Sequence, residues 1–287
     1  MAVDKMKILL TGSQGQLGQD VLTQLTLHDL PYVATDRLSF DLTNPTQMLE
    51  MLDHHQPTHI FHCAAYTQVD KAEVEQERCY QVNVEATRLI VDWANQHSAK
   101  LIFFSTDYVF DGQGQEPFDE NTPPNPINYY GWTKREAEKL ILTHMKHFAI
   151  YRVSWLYGLK GRNFVYTISN LLKTRDHLEI VSDQIGTPTL THDLAVYLIN
   201  HFEHDQGVLH IRNEGYMSWY EFACNIRSHT QSDCVIHPIT SQAYQKPHMA
   251  KRPLNSRLGS LYPHTTLRPV DEALTFFMSH LHDDVDA

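Results

Sequence analysis

The segment KMKILLTGSQGQLGQDVLTQLTLH, at the start of the chain, limits the fold more than any other. A short apolar run of buried-strand type ends in glycine, and helical periodicity begins a few residues later. Between them Gly12, Gly15 and Gly18 form the pattern G-x-x-G-x-x-G. Glycine permits the tight turn and the close approach of a pyrophosphate to backbone N–H groups. The helix that follows adds partial positive charge at its first turn, where Gln16 and Leu17 lie. A plain strand-to-helix turn also tolerates glycines, so the flanking strand and helix are what make the pattern informative.

A dinucleotide site of this kind expects an acidic residue about 20 positions on, at the end of the next strand. Asp36 stands there, placed to accept a ribose 2′-hydroxyl, and Arg37 beside it is suited to a 2′-phosphate. The reading is therefore dinucleotide binding, with NADH and NADPH both open.

The remaining sequence supports an α/β class. PYVATD, THIFHCAA, KLIFFSTD and HFAIYRVSW read as further strands, separated by helical stretches that include one long helix over about residues 71–97. Alternation of this kind implies a doubly wound, parallel, Rossmann-type sheet. After Trp155 the rhythm loosens into a second, smaller mixed α/β lobe. The expected division is residues 1–154 and about 180–213 for the dinucleotide-binding domain, with about 155–179 and 214–287 for the substrate lobe. The first residues, MAVDK, read as a short disordered lead.

Charge and composition exclude other classes. A net charge of -11 argues against a nucleic-acid or anionic-membrane surface. No apolar run reaches the roughly 18 residues that span a bilayer. Cys63, Cys79, Cys224 and Cys234 form no C-x-x-C pair, and with no signal peptide ahead of them they read as reduced, cytoplasmic thiols. Histidines cluster in HHQPTHIFH, but His54 and His55 end a helix while His59 and His62 belong to the next strand. They are not expected to converge on an ion, and no metal site is assigned.

NYYGWTKREAEK places Tyr130 and Lys134 four residues apart on one helix face. A free tyrosine, with a pKa of about 10, exchanges protons poorly near neutrality. A nearby ammonium is expected to lower it into a useful range. The same spacing also arises as a half-buried tyrosine beside a surface lysine, so its company matters. That company is FFSTDYVFDG, with Thr106 and Asp107 at the carboxyl end of the fourth strand, the edge where open α/β sheets bind ligands.

Glycine pattern, strand-end threonine and Y-x-x-x-K together resemble the extended short-chain dehydrogenase/reductases. HCAAYTQVDKAE, STDYVFDG, RVSWLYG, GRNFVYTISNLLK, SDQIGTPT, SWYEFA and AKRPLNS resemble, within them, the dTDP-4-dehydrorhamnose reductases, over roughly residues 6–281. Nucleotide-sugar dehydratases carry Asp-Glu after that threonine. This chain has Asp107 and Tyr108, which favours simple reduction.

The resemblance implies NADPH or NADH as cofactor and a dTDP-linked keto-sugar as substrate. It also implies no nucleic-acid or membrane partner, and a monomer or homodimer making a polysaccharide precursor. Tyr130 would donate the proton, Lys134 would hold the nicotinamide ribose, and Thr106 and Asp107 would bind the sugar near its carbonyl, with Trp155 beside them. Gly12, Gly15, Gln16, Leu17 and Gly18 would meet the pyrophosphate. Asp36 and Arg37 would take the adenosine ribose, and Asp41 and Leu42 the adenine side. Ala64, Ala65 and Tyr66 would lie along the cofactor's middle, with Thr67 towards the substrate. Gln184, Gly186 and Pro188 would close over the nicotinamide end and substrate, and Arg252 would face the nucleotide phosphates. Asp41 also reads as a helix cap, Trp155 as packing and Arg252 as a surface charge. Two other functions fit the same resemblance: a non-catalytic regulatory subunit of the methionine adenosyltransferase type, and a reductase of another nucleotide-linked keto-sugar.

Overall fold

Ile8, Leu9 and Leu10 are fully buried, which requires a strand covered on both faces, and parallel sheets flanked by helices supply that. The computed structural model describes residues 6–281. The lead expected for MAVDK lies outside the described residues, as does the end of the expected lobe.

The first half alternates β1 (Ile8–Thr11), α1 (Gln16–Leu27), β2 (Tyr32–Ala34), α2 (Pro45–His55) and β3 (His59–His62). It continues with α3 (Val69–Ala72), α4 (Gln76–Tyr80), a π-helical turn (Gln81–Glu85), α5 (Ala86–Gln96), β4 (Lys100–Thr106), α6 (Tyr129–His144) and β5 (Phe148–Val153). The second half holds β6 (Leu156–Tyr157), α7 (Phe164–Thr174), β7 (His177–Val181), β8 (Ile185–Gly186), β9 (Thr189–Leu190), α8 (Thr191–His201) and β10 (Gly207–His210). It ends with β11 (Arg212–Glu214), β12 (Met217–Ser218), α9 (Trp219–Thr230), β13 (Val235–Ile239), α10 (Ser241–Tyr244), β14 (Thr266–Pro269) and α11 (Val270–His280).

Six strands form one sheet in the order β10-β5-β4-β3-β1-β2, and every pairing in it is parallel. The chain leaves β1 in one direction for β2 and returns on its other side with β3, so a crevice opens between the carboxyl ends of β1 and β3. One face is covered by α1 and α8, through Leu17, Val21, Leu25, Leu194 and Leu198. The other is covered by α2, α5 and α6, through Met48, Leu52, Ile90, Ala137 and Ile141. A separate core, with Val165, Leu172, Phe222, Ile226, Leu274 and Phe277, joins α7, α9 and α11. Against it lies the small parallel pair β7 and β13. The doubly wound sheet with a smaller mixed α/β lobe is thus the architecture present.

The long helix expected over residues 71–97 is broken into α3, α4, a π turn and α5. Asn83, inside the π turn, is buried and uses both ends of its amide. It accepts from the Tyr66 N–H at 2.8 Å and donates to the Tyr66 carbonyl at 3.1 Å and to Thr133 Oγ1 at 3.0 Å. Widening the turn frees this side chain to tie β3's exit to α6.

The histidines of HHQPTHIFH go to separate tasks. His54 and His55 close α2, His59 packs edge-on to Phe202, and His62 shares a 2.8 Å hydrogen bond with Thr11. Among the described residues no group of three or more metal-binding side chains comes together.

Candidate active site

A cavity of about 940 Å³ lies at the carboxyl ends of the parallel strands, over the β1–β3 crevice. A second groove, about 530 Å³, runs between α2 and α5; it shares only Leu42 with the cavity and holds no strand-end residue.

One end of the cavity is backbone. Gly12 turns at φ +70°, and a β-carbon there would meet Ala64 backbone atoms at 2.8 Å. A β-carbon on Gly18 would lie 2.0 Å from the Gly12 carbonyl, so α1 packs against the turn only because that carbon is missing. No side chain caps α1 and no acid occupies its first turn, leaving its N–H groups and its dipole directed at the cavity. These are features that suit an anion, and a dinucleotide pyrophosphate fits them.

Asp36 sits one strand away. Its Oδ1 accepts from the N–H groups of Leu38 and Ser39 and from Ser39 Oγ, and its Oδ2 accepts from Gln14 Nε2 at 2.8 Å. Hydrogen bonds from Ser39 hold the carboxyl below its ordinary range. Asp41 is not the cap of α2. Its carboxylate accepts from Thr43, while Asn44 Oδ1 accepts from the Gln47 N–H at the helix start.

The other end of the cavity is side chains. Thr106 ends β4, and its Oγ1 donates to Asp107 at 3.0 Å. Asn128 caps α6 through the Gly131 N–H, and a β-carbon on Gly131 would stand 2.1 Å from the Tyr108 carbonyl. That close approach brings Tyr130 over the strand end, where its hydroxyl lies beside Thr106. Tyr130 as a whole is half-buried and lines the cavity. Lys134, 3% exposed, places its Nζ 4.0 Å over the Phe103 ring.

The electrostatics differ from expectation. Burial pushes the Tyr130 hydroxyl up, with the Asp107 carboxyl adding to the effect and Thr106 opposing it. The tyrosine is therefore not activated by Lys134, whose amine is drawn to the Phe103 face. Burial instead brings Lys134 down to about 7, against the pull of Glu138. Glu138 itself is tied to Arg152 at 2.7 Å. Burial raises Asp107 to about 6, with Ser256 and Thr106 opposing it, and among the described residues its Oδ2 has no hydrogen-bond partner.

The cavity wall gathers Gly12, Gly15, Gln16, Leu17, Gly18, Asp36, Arg37, Asp41, Leu42, Ala64, Ala65, Tyr66, Thr67, Thr106, Asp107, Tyr130, Lys134 and Trp155. Four expected residues stand outside it. Gly186 packs behind Trp155, where a β-carbon would meet the indole at 2.6 Å, and Pro188 is buried nearby. Gln184 donates to Ser241 Oγ at 2.9 Å. Arg252 is bidentate to Asp70, at 2.6 and 3.0 Å.

Trp219 is a wall residue that sequence reasoning missed. Its ring stacks on Trp155 at 3.6 Å and 8°, and Trp155 meets it from a left-handed backbone at φ +47°. The segment SWYEFA entered only as part of the family resemblance, and the stack depends on a lobe some sixty residues away. The buried Asn83 was missed because it depends on a π turn that helical periodicity does not announce.

The family model described as RmlD substrate binding domain matches residues 6–276. The chain belongs to this family. Among its relatives is the dTDP-4-dehydrorhamnose reductase of Aggregatibacter actinomycetemcomitans, 37% identical over 88% of this chain and 90% of that protein. A spore coat polysaccharide biosynthesis protein of Bacillus subtilis is also 37% identical, over 83% of this chain and 84% of its own. The crystal structure of the Bacillus anthracis dTDP-4-dehydrorhamnose reductase in complex with NADP superposes with a TM-score of 0.91. It is 34% identical and covers 96% of this chain and 99% of that one. The resemblance read from the quoted segments is therefore a relationship along nearly the whole chain of this RmlD family member.

Proposed function

We propose that this chain reduces the 4-keto group of dTDP-4-dehydro-L-rhamnose to dTDP-L-rhamnose with NADPH or NADH, supplying a cell-surface polysaccharide precursor. The observation that carries the reading is the Tyr130 hydroxyl beside Thr106 at the end of β4, with Lys134 one helical turn on, in the same cavity as the glycine turn and its uncapped helix. The relatives' names support the substrate class, and the NADP complex of the Bacillus anthracis protein supports the cofactor. The cofactor would lie on residues 1–154 and about 180–213, and the sugar nucleotide against the remainder. The setting is cytoplasmic, with the enzyme a monomer or homodimer; among the described residues no helix is long and apolar enough to cross a membrane.

A reduced nicotinamide bound in the cavity supplies the hydride. Tyr130 gives its hydroxyl proton to the sugar oxygen as negative charge develops there, and Thr106 Oγ1 holds that oxygen. A phenol pushed up by burial stays protonated at neutral pH, which suits a donor to an alkoxide. Lys134 would bind the ribose hydroxyls of the bound cofactor. Held near 7, its amine is also matched to return the proton. Asp107 Oδ2, lacking a partner, accepts from a sugar hydroxyl. Trp155, stacked on Trp219, presents an apolar wall to the ring.

The test is loss of reduced-nicotinamide absorbance on adding dTDP-4-dehydro-L-rhamnose. Turnover with NADPH or NADH is the expected result. No turnover with either, while another dTDP-linked keto-sugar is reduced, would move the substrate; no turnover on any would favour a regulatory role.

A further inference from the structure

Arg162 belongs to none of the assignments above, yet it lines the cavity at its glycine end. It sits in the loop between β6 and α7, and that loop follows α1 backwards. A β-carbon on Gly158 would lie 3.4 Å from Asp20 Oδ2. One helical turn nearer the start of α1, a β-carbon on Gly161 would lie 3.0 Å from Gln16 Cγ. The chain therefore runs antiparallel to the helix, towards its open N-terminus, and the next residue is Arg162.

The loop is held at both ends. Asn163 donates to the Gly158 carbonyl at 2.7 Å and accepts from the Tyr166 N–H at the start of α7. Tyr166 Oη donates to the Leu159 carbonyl at 2.5 Å. Gly161 adopts φ +77°, a conformation that glycine reaches without strain. Arg162 itself makes no hydrogen bond or ion pair among the described residues, so its guanidinium is a cation without an internal partner.

We infer that Arg162 is a cofactor-binding residue, supplied by the smaller lobe, that closes on the dinucleotide pyrophosphate opposite the N–H groups of α1. The inference rests on the proposed NAD(P)H site and adds to it a ligand from the far side of the cavity. A guanidinium matches paired phosphate oxygens with two parallel hydrogen bonds, which a backbone turn alone does not offer. Cofactor binding then draws the lobe onto the sheet domain through this contact.

Titrations of the full chain with NADPH, ADP-ribose and dTDP, on native protein and on Arg162→Ala and Arg162→Lys, test it. Arg162→Ala should weaken NADPH and ADP-ribose in parallel by about tenfold to a hundredfold, the range of a charge-assisted hydrogen bond. Its NADPH affinity should also depend less on ionic strength. Arg162→Lys should recover part of the loss, and dTDP binding should not change. Native binding of NADPH with no loss in Arg162→Ala overturns this inference and leaves the proposed function standing. A loss confined to dTDP moves the arginine to the substrate and overturns it as well. Failure of the native protein to bind NADPH or ADP-ribose overturns both readings.

Discussion

The two ends of the cavity are built on opposite principles. At the glycine end the wall is backbone, Asp36 is saturated by four hydrogen bonds, and the acid is held below its usual range. At the strand-end cluster the wall is side chains, and burial works against every charge. Tyr130 and Asp107 are pushed up, and Lys134 is brought down with no carboxylate in ion-pair range among the described residues. At the first end the acid already has hydrogen-bond partners before a ligand arrives. The second holds groups whose charged forms need partners that the folded chain withholds, the usual signature of a site that does chemistry.

The sharpest way to separate the ends is Tyr130→Phe. Turnover should fall by about a hundredfold to ten-thousandfold, the reach of a general acid, while NADPH affinity changes little. Steady-state rates set beside a fluorescence titration decide this, and an equal loss in both would merge the two ends. Gly18→Ala should do the reverse. Its added methyl meets a carbonyl at 2.0 Å, so α1 must shift, at about 1–3 kcal/mol of stability, with NADPH binding lost ahead of any effect on Tyr130. Thermal melts with and without NADPH report both quantities.

Lys134→Met addresses the electrostatic cost. The folded amine titrates near 7 and the unfolded one near 10.5, so between those values the folded state holds fewer protons. Native stability should therefore rise with pH across that window, and the full penalty should stand below pH 7. The methionine variant should lose the slope and be more stable than native at pH 6.5, by urea titration. Activity should be lost at the same time.

Asp107→Asn is the smallest expected change. Its acid is raised from 3.8 to about 6, so the folded state holds more protons in that interval and stability should fall as pH rises through it. The asparagine variant should flatten the fall and gain about 1–3 kcal/mol at pH 7. A native profile already flat between pH 4 and 6 would contradict the raised acid.

The same division explains what was legible in the sequence. Gly12, Gly15, Gly18 and Asp36 are readable because a turn, a helix start and a strand end are local events with local residue requirements. Tyr130, Lys134 and Thr106 are readable as a spacing, but their charge states are not. The sign of the Tyr130 shift is set by its burial, to which Asp107 adds, and the place of the Lys134 amine depends on Phe103, which lies on another element. Asn83 requires a π turn that no periodicity announces. Trp219 and Arg162 reach the cavity only through the docking of the smaller lobe, and the four residues outside the wall depend on the same docking.

Strand β10 has a consequence for how the chain comes into being. It completes the main sheet beside β5, although more than fifty residues separate them and β6 to β9 intervene. Until residue 210 has left the ribosome β5 is an open edge, and until α8 is made the face it shares with α1 is only partly covered. A nascent chain stopped near residue 155 carries the whole glycine turn and both Tyr130 and Lys134, yet β5, with Ala149, Ile150 and Tyr151, is paired on its β4 side alone and leaves its other edge open. The catalytic half of this protein is written first and sealed late, so fragments ending between those points should aggregate where the full chain does not.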